Sequence, residues 1–226
     1  MKPLAVQALT ALAFILPAGA AEAAAPPWKD SVETRLEALA LIETLNADLL
    51  SHDSATLTLD RWCAAHWPGL PSGITAERIH GADKAPTDEL RQRLGVDAAE
   101  PIHYRRVRLG CGGHVLSEAD NWYVPARLTP EMNQVLDTTD TAFGRAVQAL
   151  QFRRRTESAT LLWSPLPAGW ETGTALPPGQ AAALDIPAHV LEHRAVLTLP
   201  DGTPFSAVVE TYTGELLDFP QPSLGR

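Results

Sequence analysis

The sequence is poor in cysteine and in aromatic residues: two cysteines, Cys63 and Cys111, and 6% aromatics among 226 residues. No C-x-x-C pair and no Gly-rich phosphate loop is present. The chain therefore carries no sequence signal for a cysteine metal or redox motif, or for a nucleotide phosphate. Positive charge is scarce as well. Eighteen Lys and Arg against 27 Asp and Glu give a formal net charge of −9. A phosphate backbone calls for a basic face, so nucleic acid is excluded as an expected partner. A small anion is not excluded, because a pocket can be basic inside an acidic protein. No internal repeat is visible, and beyond the N-terminus no stretch is apolar enough to span a membrane. Hydrophobic residues at 45% and charged residues at 20% suit a chain with a real core rather than a disordered one.

The first 23 residues read as a cleavable signal peptide. Lys2 supplies a short positive region, Ala5 to Pro17 is nearly continuous apolar sequence, and Ala21-Glu22-Ala23 offers a cleavage site. Residues 24–226 then form one domain with an N-terminal helical extension, in the periplasm or outside the cell, with no stable membrane span after cleavage. A monomer is expected. In an oxidising compartment Cys63 and Cys111 can form a bridge or remain two buried thiols.

The clearest helix runs from Asp30 to Ser51. Asp30 and Glu33 fit a capping box, and Leu36, Leu39, Ile42, Leu45 and Leu49 make one apolar stripe. Shorter helices are expected from Leu59 to His66 with Thr58 as cap, and from Thr87 to Leu94 with Gly95 after it. Ile74 to His80 reads as a strand. Ile102 to Leu109, a glycine-rich turn at 110–113, His114 to Glu118 and Asn121 to Val124 make a hairpin, with Glu118 and Asp120 near a dip in it. Thr129-Pro130 opens a helix, and Asp140 or Thr141 opens another that carries Phe143, Val147 and Leu150. The basic run Arg153–Arg155 follows that helix. Residues 164–187 are rich in Pro and Gly and read as loop, with one helical turn near Gln180 to Leu184. Val190 to Leu199 and Phe205 to Thr213 flank Asp201-Gly202, a hairpin signal. Strands paired by hairpins with helices grouped between them argue for an α+β fold with an antiparallel sheet.

The order of several segments is familiar. His103 to His114 (HYRRVRLGCGGH) is followed by Asn121 to Pro125 (NWYVP), Leu128 to Pro130 (LTP), Thr141 to Gly144 (TAFG) and Ala207 to Tyr212 (AVVETY). This resembles the chorismate lyase family and, more distantly, ligand-binding domains of bacterial regulators in the same superfamily, over about residues 50–220. The resemblance implies an antiparallel sheet with helices packed on it, enclosing a ligand cavity, and no cofactor. It implies release of pyruvate from chorismate to give 4-hydroxybenzoate. Anchored on Cys111, the family's substrate-binding arginine falls on Arg106, its glutamate on Glu210, and its apolar–glycine pair on Phe143 and Gly144. Phe stands where the family leads one to expect Leu, which narrows the cavity.

The residues themselves suit that chemistry. A planar guanidinium binds a carboxylate through two parallel bonds. Alternation puts Tyr104, Arg106 and Arg108 on one side of their strand, so Arg108 or Tyr104 is the expected neighbour of Arg106 in substrate binding. Arg105 points the other way. Glu210, in an apolar strand, either meets an arginine or projects into a pocket where it can assist proton transfer. One member of Arg153–Arg155 can help hold a carboxylate, although such runs more often lie in solvent. Trp122 and Tyr123 are core residues more often than cavity walls. His189 and His193 match H-x-x-E-H, but on a strand residues four apart lie about 13 Å apart, too far for one zinc. Two functions therefore remain: a chorismate lyase-type enzyme using Arg106 and Glu210, or an exported non-catalytic binder of a small aromatic carboxylic acid in the same cavity.

Overall fold

The computed structural model describes residues 28–71, 73–81, 83–179 and 182–221. The signal peptide expected at 1–23 lies outside these residues. So does part of the helical turn expected near Gln180 to Leu184. Within that stretch Ala183 instead forms an isolated bridge with Lys29.

The fold is α+β: one six-stranded antiparallel sheet with helices packed on it. Its strands are β1 (Thr75–Arg78), β2 (His103–Cys111), β3 (His114–Tyr123), β4 (Arg153–Leu161), β5 (His189–Thr198) and β6 (Pro204–Thr213). Their order in the sheet is β1-β2-β3-β6-β5-β4. Gly112 and Gly113, both at positive φ, make the tight turn between β2 and β3. The expected dip at Glu118 and Asp120 is continuous strand, because both residues pair with β2 and β6. β4 is a correction to the loop-and-helix reading of Arg153–Arg155. Those arginines open an edge strand paired with β5, and its Thr, Ser and Arg content hides it from an apolar-run search.

The helices are α1 (Val32–Ser51), α2 (Ala55–His66), α3 (Asp88–Leu94), α4 (Pro130–Thr138) and the single turn α5 (Phe143–Ala146). α1 starts one residue later than a capping box from Asp30 requires. Ser31 caps it by accepting the Thr34 amide, which leaves Asp30 to form two hydrogen bonds with Arg35, at 2.7 and 2.8 Å. α2 begins earlier than expected because Ser54, not Thr58, is its cap. Thr87 and Thr129 cap α3 and α4 as the sequence indicates. None of these helices is long and apolar enough to cross a membrane.

Alternation divides the sheet into two faces. Arg105, Val107, Leu109 and Cys111 point from β2 toward the helices, and Tyr104, Arg106 and Arg108 point away. On the helix side an apolar cluster under α1 and α2 includes Ile42, Leu45, Leu59, Leu116, Leu191 and Tyr212. A second, under α4 and α5, includes Tyr123, Leu136, Phe143, Phe152 and Phe205. Cys63 and Cys111 are joined, with Cα atoms 5.9 Å apart, and the bridge ties α2 to the end of β2. Three indole N–H groups, of Trp28, Trp62 and Trp67, donate to the carbonyls of Phe219, Leu216 and Asp218. The few aromatic residues thus fasten the C-terminal segment to the N-terminal helices.

Candidate functional site

Between the two apolar clusters one row across the sheet mixes a small residue with two ionisable ones. Val107, Ala119, Glu210 and His193 lie side by side on β2, β3, β6 and β5. Ala119 leaves space beside Glu210, and α2 and α5 roof it. The result is a cavity of about 40 Å³ lined by Val107, Leu109, Phe143, Phe152, Leu197 and Val208, with Asn121, Arg154 and Glu210 as its buried polar wall. Asp53 and the N-cap Ser54 also line it. Gly144 is needed at the roof, since a Cβ there would lie 2.9 Å from Ser54 Oγ and 3.1 Å from Thr56 Oγ1.

The central interaction is a buried ion pair. Arg154 Nη2 donates to Glu210 Oε2 at 2.6 Å, with side chains 3% and 10% exposed. Burial opposes the charge on Arg154, but the adjacent Glu210 carboxylate more than offsets it and raises the guanidinium pKa. Tyr212 donates its hydroxyl to the same Glu210 oxygen at 3.2 Å. Burial first, and Glu210 second, push that phenol well above its ordinary range. His193 is fully buried, with Nε2 2.8 Å from Asn46 Oδ1. Burial, helped by Arg154 and opposed by Glu210, lowers its pKa to about 4, so the ring is neutral.

Hydrogen-bonding capacity around Glu210 is left over. His193 Nδ1 and Ser117 Oγ, both on the helix face, are buried without a partner among the described residues. Among the described residues Arg154 donates Nε to Thr156 and Nη2 to Glu210, and Nη1 makes no hydrogen bond. Among the same residues Asn121 Oδ1 accepts from Ser206, while its amide nitrogen and Glu210 Oε1 make none. Buried polar groups are nearly always paired with protein, water or ligand. Spare donors on Arg154 and Asn121, and spare acceptors on Glu210 and on His193, whose Nε2 must donate to Asn46 Oδ1, set against an apolar wall are what a small polar ligand requires.

The structure brings together three of the residues expected from the sequence, Glu210, Phe143 and Gly144. It separates Arg106 and Arg108 from them. Val107, not Arg106, lies in register with Ala119 and Glu210, so the two arginines project from the opposite face. Arg106 is 41% exposed and faces Glu118 at 3.4 Å and Asp120 at 3.8 Å. Arg108 meets Glu118 at 3.1 Å. Burial works against the Glu118 charge, but hydrogen bonding to Arg108 and the nearby Arg106 and His189 charges outweigh it and lower its pKa. Tyr104 donates to Asp120 at 2.6 Å; burial and this contact push it up to about 12. Arg106, expected from the sequence to act together with Glu210, therefore lies on the opposite face of the sheet from it. Arg106 is five residues from Cys111 and so falls on the other side of the strand; the irregularity beside Leu109 and Gly110 is taken up in β3, and Arg105 is the arginine that shares the Cys111 face.

Arg105 is the β2 arginine on the helix side. It donates Nη1 to Thr141 O at 2.7 Å and Nη2 to Thr139 O at 2.9 Å, holding the segment that leads into α5. Arg154 is the cavity cation, and alternation along Arg153–Leu161 would have found it had the run been read as a strand. His189 and His193 lie on β5. Among the described residues no group of three His, Cys, Asp or Glu is placed to hold a metal ion.

No protein-family model matches the chain. Over 198 residues it is 58% identical to the uncharacterized protein y4mC of Sinorhizobium fredii (strain NBRC 101917 / NGR234), covering 87% of this chain and 84% of that protein. The chain belongs to the y4mC family. Among solved structures, PhnF from Mycobacterium smegmatis overlaps 78% of this chain and 71% of its own, at 16% identity and a TM-score of 0.49. Its effector domain overlaps 72% and 90%, at 14% identity and 0.47. The possible transcriptional regulator YydK from Bacillus subtilis overlaps 67% of this chain at 16% identity and 0.39, and the y4mC-family chain spans 63% of YydK.

Proposed function

We propose that this y4mC-family protein is a non-catalytic binder of a small hydroxy carboxylic acid, held in the cavity between sheet and helices. The supporting observation is the unspent capacity around the Arg154–Glu210 pair: Arg154 Nη1 and the Asn121 amide to receive a carboxylate, and Glu210 Oε1 to accept a hydroxyl. Apolar walls supply desolvation, and the few polar groups set orientation. The sequence resemblance to chorismate lyases supports an organic acid as ligand.

Charge favours binding over the lyase reaction. Chorismate carries two carboxylates, whereas the cavity lining has one cation, Arg154, against Glu210 and Asp53. Asp53 is met by Arg153 at 3.2 Å, so the Arg154–Glu210 pair can receive one carboxylate, and the lining holds no further cation for the second carboxylate of a dianion. Arg106 and Arg108, which would redress the balance, are on the other face. Export belongs to the proposal. The apolar leader pattern at 1–23 and the Cys63–Cys111 bridge both support an oxidising compartment.

Calorimetric titration of purified protein with hydroxy acids, alongside a coupled pyruvate assay on chorismate, tests the reading. Binding that disappears in Arg154→Met, with no pyruvate above background at millimolar chorismate, is expected. Pyruvate release that depends on Glu210 would instead establish the lyase. Sequencing the N-terminus of protein from the periplasmic fraction tests export, where a start at Met1 would refute cleavage.

A further inference from the structure

We infer that Phe143 is the specificity-determining residue of this cavity and restricts its ligand to short hydroxy acids, excluding aromatic ones. The inference rests on the cavity being the ligand site and adds the size class of the ligand.

The cavity measures about 40 Å³. Ligand sites for drug-sized molecules are commonly about 300–1,000 Å³, whereas a space this small holds only a few waters. An acid of about six non-hydrogen atoms or fewer, such as glycolate or lactate, is the size that can replace those waters. A benzene ring needs space that the Phe143 ring already occupies. That ring lines the cavity, with its centroid 5.4 Å from Tyr123 and 6.3 Å from Phe205. Phe152 extends the same aromatic wall, 6.0 Å from Phe205. The protein has thus built its own aromatic ring into the position where a ligand ring would stack.

Three contacts brace the ring in place. Arg105 grips the carbonyls of Thr139 and Thr141 just before α5. Arg145, two residues beyond Phe143, pairs with Asp60 of α2 at 2.8 Å. Gly144, where a Cβ would lie 2.9 Å from Ser54 Oγ, lets α5 pack this closely against the start of α2. Phe143 is therefore a fixed wall, and truncating it enlarges the site next to Arg154 and Glu210 without removing a polar group.

The test is calorimetric titration of the full chain, wild type, Phe143→Ala and Phe143→Val, with glycolate, lactate and 4-hydroxybenzoate as probes. Circular dichroism confirms the fold of each variant, and the Val variant serves if the Ala variant does not fold. Wild type is expected to bind a short acid at least tenfold more tightly than 4-hydroxybenzoate. The truncations are expected to raise the ratio of aromatic to short-acid affinity at least tenfold. Wild-type protein that prefers 4-hydroxybenzoate, or a ratio unmoved in both variants, overturns the size filter and leaves the site standing. No binding of any probe to any of the three proteins overturns the site itself, and the filter with it.

Discussion

Replacing Arg154 by Met should be among the most damaging single changes in this protein. The substitution keeps an unbranched apolar stem and removes the guanidinium 2.6 Å from Glu210. Glu210 is then a buried carboxylate with one remaining donor, the Tyr212 hydroxyl at 3.2 Å. Neutral His193 supplies no countercharge. Breaking a buried pair from one side costs about 3–5 kcal/mol, whereas exchanging both partners for apolar residues is often neutral or stabilising. With an m-value of about 2 kcal/mol/M, the urea midpoint of Arg154→Met should fall by about 2 M. Glu210→Met should cost a similar amount by stranding Arg154, and the double variant less than either single change. Urea titrations of the four proteins followed by circular dichroism supply the cycle. A loss below about 1 kcal/mol in Arg154→Met would show that the pair is hydrated rather than buried, and a double variant as unstable as the two singles summed would show the residues to be uncoupled.

Three further outcomes are expected. His193 has a folded pKa of about 4 against an ordinary 6.5, so its contribution is complete above pH 6.5 and is lost as pH falls through 4. That contribution is on the order of 3 kcal/mol, and His193→Gln should flatten the pH dependence of urea stability across that window. Reducing the Cys63–Cys111 bridge, 48 residues apart in sequence, should cost about 4 kcal/mol of stability from loop-closure entropy; melts with and without a phosphine reductant measure it, and an unchanged melting temperature argues against the bridge. Arg106→Ala should change stability by no more than about 0.5 kcal/mol and leave acid binding at the cavity intact, so a loss of binding in that variant would return Arg106 to the site.

The elements that announce themselves by period or by turn residues were legible in the sequence. α1 is visible in its apolar period, although Leu36 of the stripe is 37% exposed and Ala38 is buried in its stead; β5 and β6 are visible in the runs flanking Asp201-Gly202, and α3 in Thr87 and Gly95. Glu210 was legible because a carboxylate in an apolar strand must have a reason to be there. Its partner was not, since a run of three arginines looks like solvated charge until it is placed on a strand and every second side chain is turned inward. The choice of Arg106 failed for a different reason. Alternation separates Arg105 from Arg106 correctly, but nothing local to β2 says which of the two sides the helices cover. The caps show a smaller limit: Asp30 and Ser31 are both good N-caps, and Asp30 pairs instead with Arg35 in the first turn of α1.

The indole clamp has a consequence for how the chain is made. Trp28, Trp62 and Trp67 hold carbonyls that are 191, 154 and 151 positions further along. α1 and α2 therefore cannot complete their docking surface until the ribosome has delivered residues 216–219. Every chain under synthesis must carry two amphipathic helices without their partners for most of its translation time. Contacts this distant in sequence also close slowly. During that interval the apolar faces of both helices lack the carbonyls that the three indoles will later grip.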